Sequence, residues 1–129
     1  MSNKPDIKSR EEIKILVDSF YKKVLEDNII KHFFIDVVDV NWGKHMPTMY
    51  DFWESTLLNS RSYSGNPMSA HLKLNDKHKM TKVHFDQWLE LFIDTIDENF
   101  EGNIAEQAKI RAQSIAVVIQ SKIYQSGKP

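Results

Sequence analysis

Tyr21, His45, His71 and Trp88 are the side chains of this sequence with the most chemistry to offer. A neutral imidazole is a strong axial donor to a metal, and two of them could face a flat ligand from opposite sides. A phenol O–H and an indole N–H are donors that could reach into the same space. Phe20, Trp42, Phe52, Trp53, Leu72 and Leu89 accompany them, so the cavity they outline is apolar with few polar groups. An apolar pocket with a small number of placed polar groups is what a haem site requires.

Helices must carry these residues. Ser9 followed by Glu12 is a capping-box pattern, and it opens a periodic stretch. Ile13, Leu16, Val17, Phe20 and Val24 recur at helical spacing, with Tyr21 on the edge of their face, which predicts a helix to about Asp27. Ile29 to Val38 reads as one or two short turns carrying Phe33 and Phe34. A second helix is expected from Asn41 to Asn59, with His45, Met49, Phe52, Trp53 and Leu57 on one face. Pro47 is near enough to its start to be tolerated, with a local bend.

Ser60 to Ala70 has loop composition, and Pro67 can start a short helix bearing His71. After a polar loop at Asn75 to Lys79, Thr81 is the expected N-cap of a long amphipathic helix. Phe85, Trp88, Leu89, Phe92, Ile93, Ile96 and Phe100 form its face, and Gly102 is its expected stop. Asn103 with Glu106 resembles a further N-terminal cap. The last helix would carry Ile104, Ala108, Ala112, Ile115, Ala116, Ile119 and Ile123, its alanines allowing a neighbour to approach closely. No segment alternates with a strand's period of two. The expected class is all-α, in one domain spanning 1–129, with 1–10 and 125–129 flexible.

Composition narrows the function. A chain of 129 residues can bury a real core. Its formal net charge of −1 gives no electrostatic reason to expect nucleic acid or an anionic membrane as partner. Cysteine is absent, which excludes disulfides, thiolate metal sites and a cysteine nucleophile. The polar stretch Met1 to Arg10 lacks the apolar core of a signal peptide, and no apolar run approaches the ~18 residues of a membrane span. A soluble, cytoplasmic protein is the expectation.

The order of the motifs carries a resemblance. Phe20-Tyr21-Lys22-Lys23-Val24, Trp42-Gly43-Lys44-His45, Phe52-Trp53, Tyr63-Ser64-Gly65-Asn66-Pro67, His71-Leu72 and Trp88-Leu89-Glu90-Leu91-Phe92 together resemble a group III truncated haemoglobin over roughly Glu12 to Tyr124. Other truncated haemoglobins carry paired glycines at helix junctions, whereas Gly43, Gly65, Gly102 and Gly127 are isolated here. The stretch Asn75 to Val83 is a few residues longer than that family leads one to expect.

The resemblance implies a 2-on-2 helical sandwich around a noncovalent haem b, since the chain has no Cys-x-x-Cys-His motif for attachment. His71 would be the proximal iron ligand and His45 the distal histidine, acting as a gate. Tyr21 and Trp88 would donate to bound dioxygen, stabilising its partial negative charge. Phe34, or Phe33 beside it, would stack on the haem, with Met49, Trp53, Phe92 and Ile115 as apolar walls. Lys44, Arg61, Tyr63 and Lys73 are candidates for the propionates.

The implied ligands are the diatomic gases dioxygen, nitric oxide and CO. A polar distal pocket that holds dioxygen tightly suits redox or nitric-oxide chemistry, peroxidase-like activity or sensing better than oxygen transport. The redox options need an electron donor from another protein, because the chain has no flavin or nicotinamide fingerprint. Residue pattern alone leaves alternatives. His84, on the face of Trp88, rivals His71 as ligand, with a packing histidine as its bland reading. A non-haem metal site of His71, His78 and His84 lacks the usual spacing. A haem-free helical interaction or sensor domain could keep the same scaffold.

Overall fold

The computed structural model describes residues 4–33, 42–58 and 80–126, with side chains to residue 122. Four helices run through them: α1 (Arg10–Glu26), α2 (Trp42–Leu58), α3 (Lys82–Asn99) and α4 (Asn103–Ser126). No strand occurs among the described residues. Helix α1 packs on both α2 and α3, α3 packs on α4, and α2 touches α4 lightly. The main core lies between them.

The stripe read from the sequence is the buried face of α1: Ile13, Leu16, Val17, Phe20 and Val24 are sealed from solvent. Glu11 and Glu12 sit in its first turn and Lys23 in its last, in the sense the helix dipole favours. The first cap differs from expectation. The Ser9 hydroxyl donates to Glu12 (2.9 Å) instead of accepting from the helix backbone, and Glu12 reaches the Lys8 N–H (3.1 Å).

Helix α3 ends at Asn99, earlier than Gly102. Phe100 is extended and turns its ring into the core. Gly102 belongs to the start of α4, where its carbonyl accepts from the Glu106 N–H at 3.0 Å. A glycine offers no side chain to cap the helix, and Asn103 does not serve. Asp6 does: its carboxylate accepts from the Ile104 N–H (3.0 Å) and the Ala105 N–H (2.8 Å), from 98 and 99 residues away. The φ of Gly102 is 144°, and an added Cβ would collide with the Asp6 carboxyl carbon, so glycine is required twice over.

This contact ties the N-terminal segment to the body of the protein. From Lys4 onward the segment is docked: Ile7 is fully buried, and Glu101 N–H donates to the Pro5 carbonyl at 2.9 Å. At the other end α4 continues through Ser126. On α4, Ala105, Ala108, Ala112 and Ala116 are buried, the close-approach face its composition suggested.

Desolvation raises the Asp6 pKa, but the N–H donors of Ile104, Ala105 and Ile7 outweigh it and hold the carboxyl below its ordinary value. Its contribution to stability is therefore present above the unfolded value of about 4 and is lost as pH falls through the lower folded value. Asp6→Ala should cost about 0.5–2 kcal/mol at pH 7, the usual range for a lost N-cap. Urea unfolding at pH 7 and pH 3 checks this. The difference between parent and variant should shrink at the lower pH, and an equal difference at both would detach the effect from the carboxylate.

Candidate functional site

Helix α1 presents Phe20 to the core and Tyr21 beside it, and the two rings meet edge to face at 5.1 Å. Helix α2 brings His45 across, and its Nε2 lies 3.0 Å from the Tyr21 hydroxyl. Trp42, one turn earlier on α2, stands edge-on to both rings, at 5.6 Å from Tyr21 and 5.5 Å from His45. A polar pair thus sits within an aromatic frame.

Burial pushes the Tyr21 phenol well above its ordinary pKa. It stays an O–H donor across the neutral range. Its bond to His45 has two proton arrangements. With the phenol donating to Nε2, the imidazole carries its proton on Nδ1. With Nε2–H donating, the phenolic hydrogen can point to a third group.

Trp88 and Phe92 of α3 line the other side. Their rings stack nearly parallel at 5.6 Å, and Phe20 meets Trp88 edge-on at 5.8 Å. Phe92 also stacks on Trp53 at 4.7 Å. Trp88 thus joins the aromatic frame through its ring contacts with Phe20 and Phe92. Trp53 and Phe92 are buried, Met49 packs half-buried on the main core, and Ile115 bridges the main core and a smaller cluster of Phe85, Ala116 and Ile119.

Of the site residues expected from the sequence, Tyr21, His45, Trp53, Trp88 and Phe92 are joined by ring contacts through Phe20 and Trp42. His71 and Phe34 lie outside the described residues, as do Arg61, Tyr63, Lys73 and His78. His84, the rival ligand, sits in the first turn of α3. Its Nδ1 accepts from the Thr81 N–H (2.9 Å) at the expected N-cap of α3, with Phe33 edge-on at 4.8 Å. Its bland reading as a packing residue fits, with capping added. Among the described residues, no group of three or more His, Asp or Glu is placed to hold a metal ion. Nor is any helix there long and apolar enough to cross a membrane.

Sequence reasoning missed the polar residues that join α1 to α2 farther along the same helices: Arg10 and Asp18 on α1, and Tyr50, Asp51 and Glu54 on α2. The spacing of Arg10, Asp18 and Tyr21 along one helix stripe was a usable signal.

The fold and these contacts agree with comparisons to known proteins. The family model for bacterial-like globins matches residues 6–121. Group 3 truncated hemoglobin of Campylobacter jejuni is 29% identical over 122 residues, covering 92% of this chain and 94% of that protein. Group 1 truncated hemoglobin of Synechocystis is 34% identical over 101 residues, covering 76% and 79%. In structure, the chain matches the C. jejuni group III truncated hemoglobin with a TM-score of 0.82 at 27% identity, over 98% and 99% of the two chains. It matches the 2/2 hemoglobin of Synechococcus, which carries covalently attached heme, with a TM-score of 0.76 at 25% identity, over 89% and 91%. The helices are those of an all-α truncated globin, the likeness to group III holds in both sequence and structure, and the chain belongs to the bacterial-like globin family, whose members bind haem and a ligand on it.

Proposed function

We propose that this chain holds haem b noncovalently through His71 and binds dioxygen or nitric oxide beside Tyr21 and His45, for redox or nitric-oxide chemistry or sensing. The observation that carries the reading is the Tyr21–His45 bond within an aromatic frame. An un-ionised phenol and an imidazole, set among Phe20, Trp42 and Trp88, suit the distal face of a haem. When bound, the haem supplies an iron that takes a diatomic gas and exchanges electrons with it.

The protein's part is to place donors and exclude water. The Tyr21 O–H stabilises negative charge on a ligand in a low-dielectric site. His45 either takes up that O–H or, as an Nε2–H donor, releases it toward the ligand. Trp42, Trp88 and Phe92 keep the surroundings apolar, which strengthens each such bond. Strong retention of this kind suits reaction or sensing better than delivery, and turnover would need an electron donor from another protein. Nitric oxide dioxygenation and peroxidase-like chemistry are the reactions that fit.

The His71 assignment predicts loss of the cofactor. The purified protein should show a Soret band, and His71→Ala should lose it on gel filtration, while His84→Ala keeps it. Haem should pass into acidified butanone, because the chain has no cysteine to attach it. Retention in the aqueous phase would reveal a covalent link like that of the Synechococcus relative. Equal retention by His71→Ala, with loss in His84→Ala, would move the ligand to His84. A protein that takes up no haem at all would favour a helical interaction or sensor domain on the same scaffold.

A further inference from the structure

The contact between Tyr21 and His45 is the last rung of a polar seam. On α1, Arg10, Lys14, Asp18 and Tyr21 fall at i, i+4, i+8 and i+11, which places them on one stripe of the helix. Their partners on α2 follow in reverse order. Arg10 Nη1 pairs with Glu54 and Asp51, each at 2.9 Å. Arg10 and Lys14 stand 5.8 Å and 6.0 Å from the centre of the Tyr50 ring. The Tyr50 hydroxyl donates to Asp18 Oδ1. Burial and the Asp18 carboxylate push that phenol up to about 12, so it remains a donor at neutral pH. His45 then meets Tyr21. Stepping forward on α1 means stepping back on α2, as antiparallel neighbours require.

Pro47 separates the last rung from the others. It has no N–H, so the Gly43 carbonyl loses its helical donor. One residue on, the Thr48 hydroxyl bonds back to the Lys44 carbonyl at 2.9 Å, a pattern that bends helices. The turn bearing Trp42 and His45 is therefore joined to the rest of α2 by a weakened ladder.

We infer that Arg10, Asp18 and Tyr50 are positioning residues for His45. By fixing α2 against α1 just past Pro47, they set the register that puts the imidazole on the Tyr21 hydroxyl. The inference deepens the proposed ligand-binding function and rests on Tyr21 and His45 being its distal pair. The ion pairs of the seam are about one-third exposed at Arg10 (34%) and Asp51 (33%), so each adds little to stability. Trp53 and Leu57 keep α2 on the core without them. Removing the seam should thus change where His45 sits more than whether the chain folds.

The test uses haem-loaded protein with 15N-labelled histidine, reduced and saturated with CO so that it is diamagnetic. His45→Gln identifies the His45 Nε2 signal by its loss, and Tyr21→Phe gives the shift of the imidazole without its phenol partner. Arg10→Gln combined with Tyr50→Phe should move the Nε2 signal at least half way to that limit. Its melting temperature should stay within about 5 °C of the parent. Its C–O stretching band should move in the same direction as in Tyr21→Phe. Glu11→Gln, off the stripe, should change neither. A His45 signal unmoved in the folded double variant overturns the inference. If the double variant fails to fold, Tyr50→Phe alone, which removes only a hydroxyl, decides on the same criterion. A C–O band that ignores Tyr21→Phe itself would sink the distal-pair reading, while the nitrogen shift would still decide the positioning.

Discussion

Replacing Phe92 by alanine should lower the unfolding free energy by about 3–5 kcal/mol, the range for deleting a buried phenylalanine ring. Phe92 is only 1% exposed. It lies between Trp53 and Trp88 as a stacked partner of both, with Phe20 edge-on at 5.2 Å. Truncation removes the ring's transfer energy and leaves a hole bounded by three aromatics from α1, α2 and α3. Each lost aromatic pairing adds about 0.5–1.5 kcal/mol beyond the area term. In a chain of this size the melting temperature should fall by about 10–20 °C. Phe92→Leu keeps much of the volume and should cost clearly less. A Phe92→Ala variant melting within a degree or two of the parent would mean that these rings do not form the packed wall of the site.

Tyr21→Phe should speed dioxygen dissociation from the haem-loaded protein about 10- to 100-fold. That is the consequence of losing one buried bond to a charged acceptor, at about 1.5–3 kcal/mol. The ring packing against Phe20 survives, because only the hydroxyl is removed. CO should respond less, since its terminal oxygen carries less negative charge. Burial pushes the phenol upward, so the parent's dissociation rate should show no tyrosine-linked step as pH rises through the neutral range. Flash photolysis and stopped-flow displacement measure both ligands. An unchanged dioxygen rate would make Tyr21 a core residue and leave the activated-oxygen reading to Trp88 and His45.

Much of the helical architecture was legible in the sequence, and for a definite reason. Backbone geometry imposes a period near 3.6, and a face that must be dry repeats apolar residues at that period. Ile13, Leu16, Val17, Phe20 and Val24 obey it, so α1 and its buried side could be read directly. The chemical types also show in the sequence: a phenol, an indole and histidines among aromatics restrict what the chain could bind. His71 as iron ligand rests on that information alone, together with the family resemblance.

Partners across helices were decided elsewhere. Tyr21 meets His45 from 24 residues away, and Asp6 caps α4 from nearly a hundred. Neither link leaves a local pattern, because each depends on the relative placement of two elements. The same holds for the meeting of Trp88 with Phe20, which joins α3 to α1. His84, a candidate ligand by residue type, takes the Thr81 N–H on its Nδ1. The sequence by itself determined which residues form helices, which faces they bury and which chemistries are present. Only the tertiary structure decided which polar atoms meet, since that depends on the register of one helix against another, to which the period within either helix is blind.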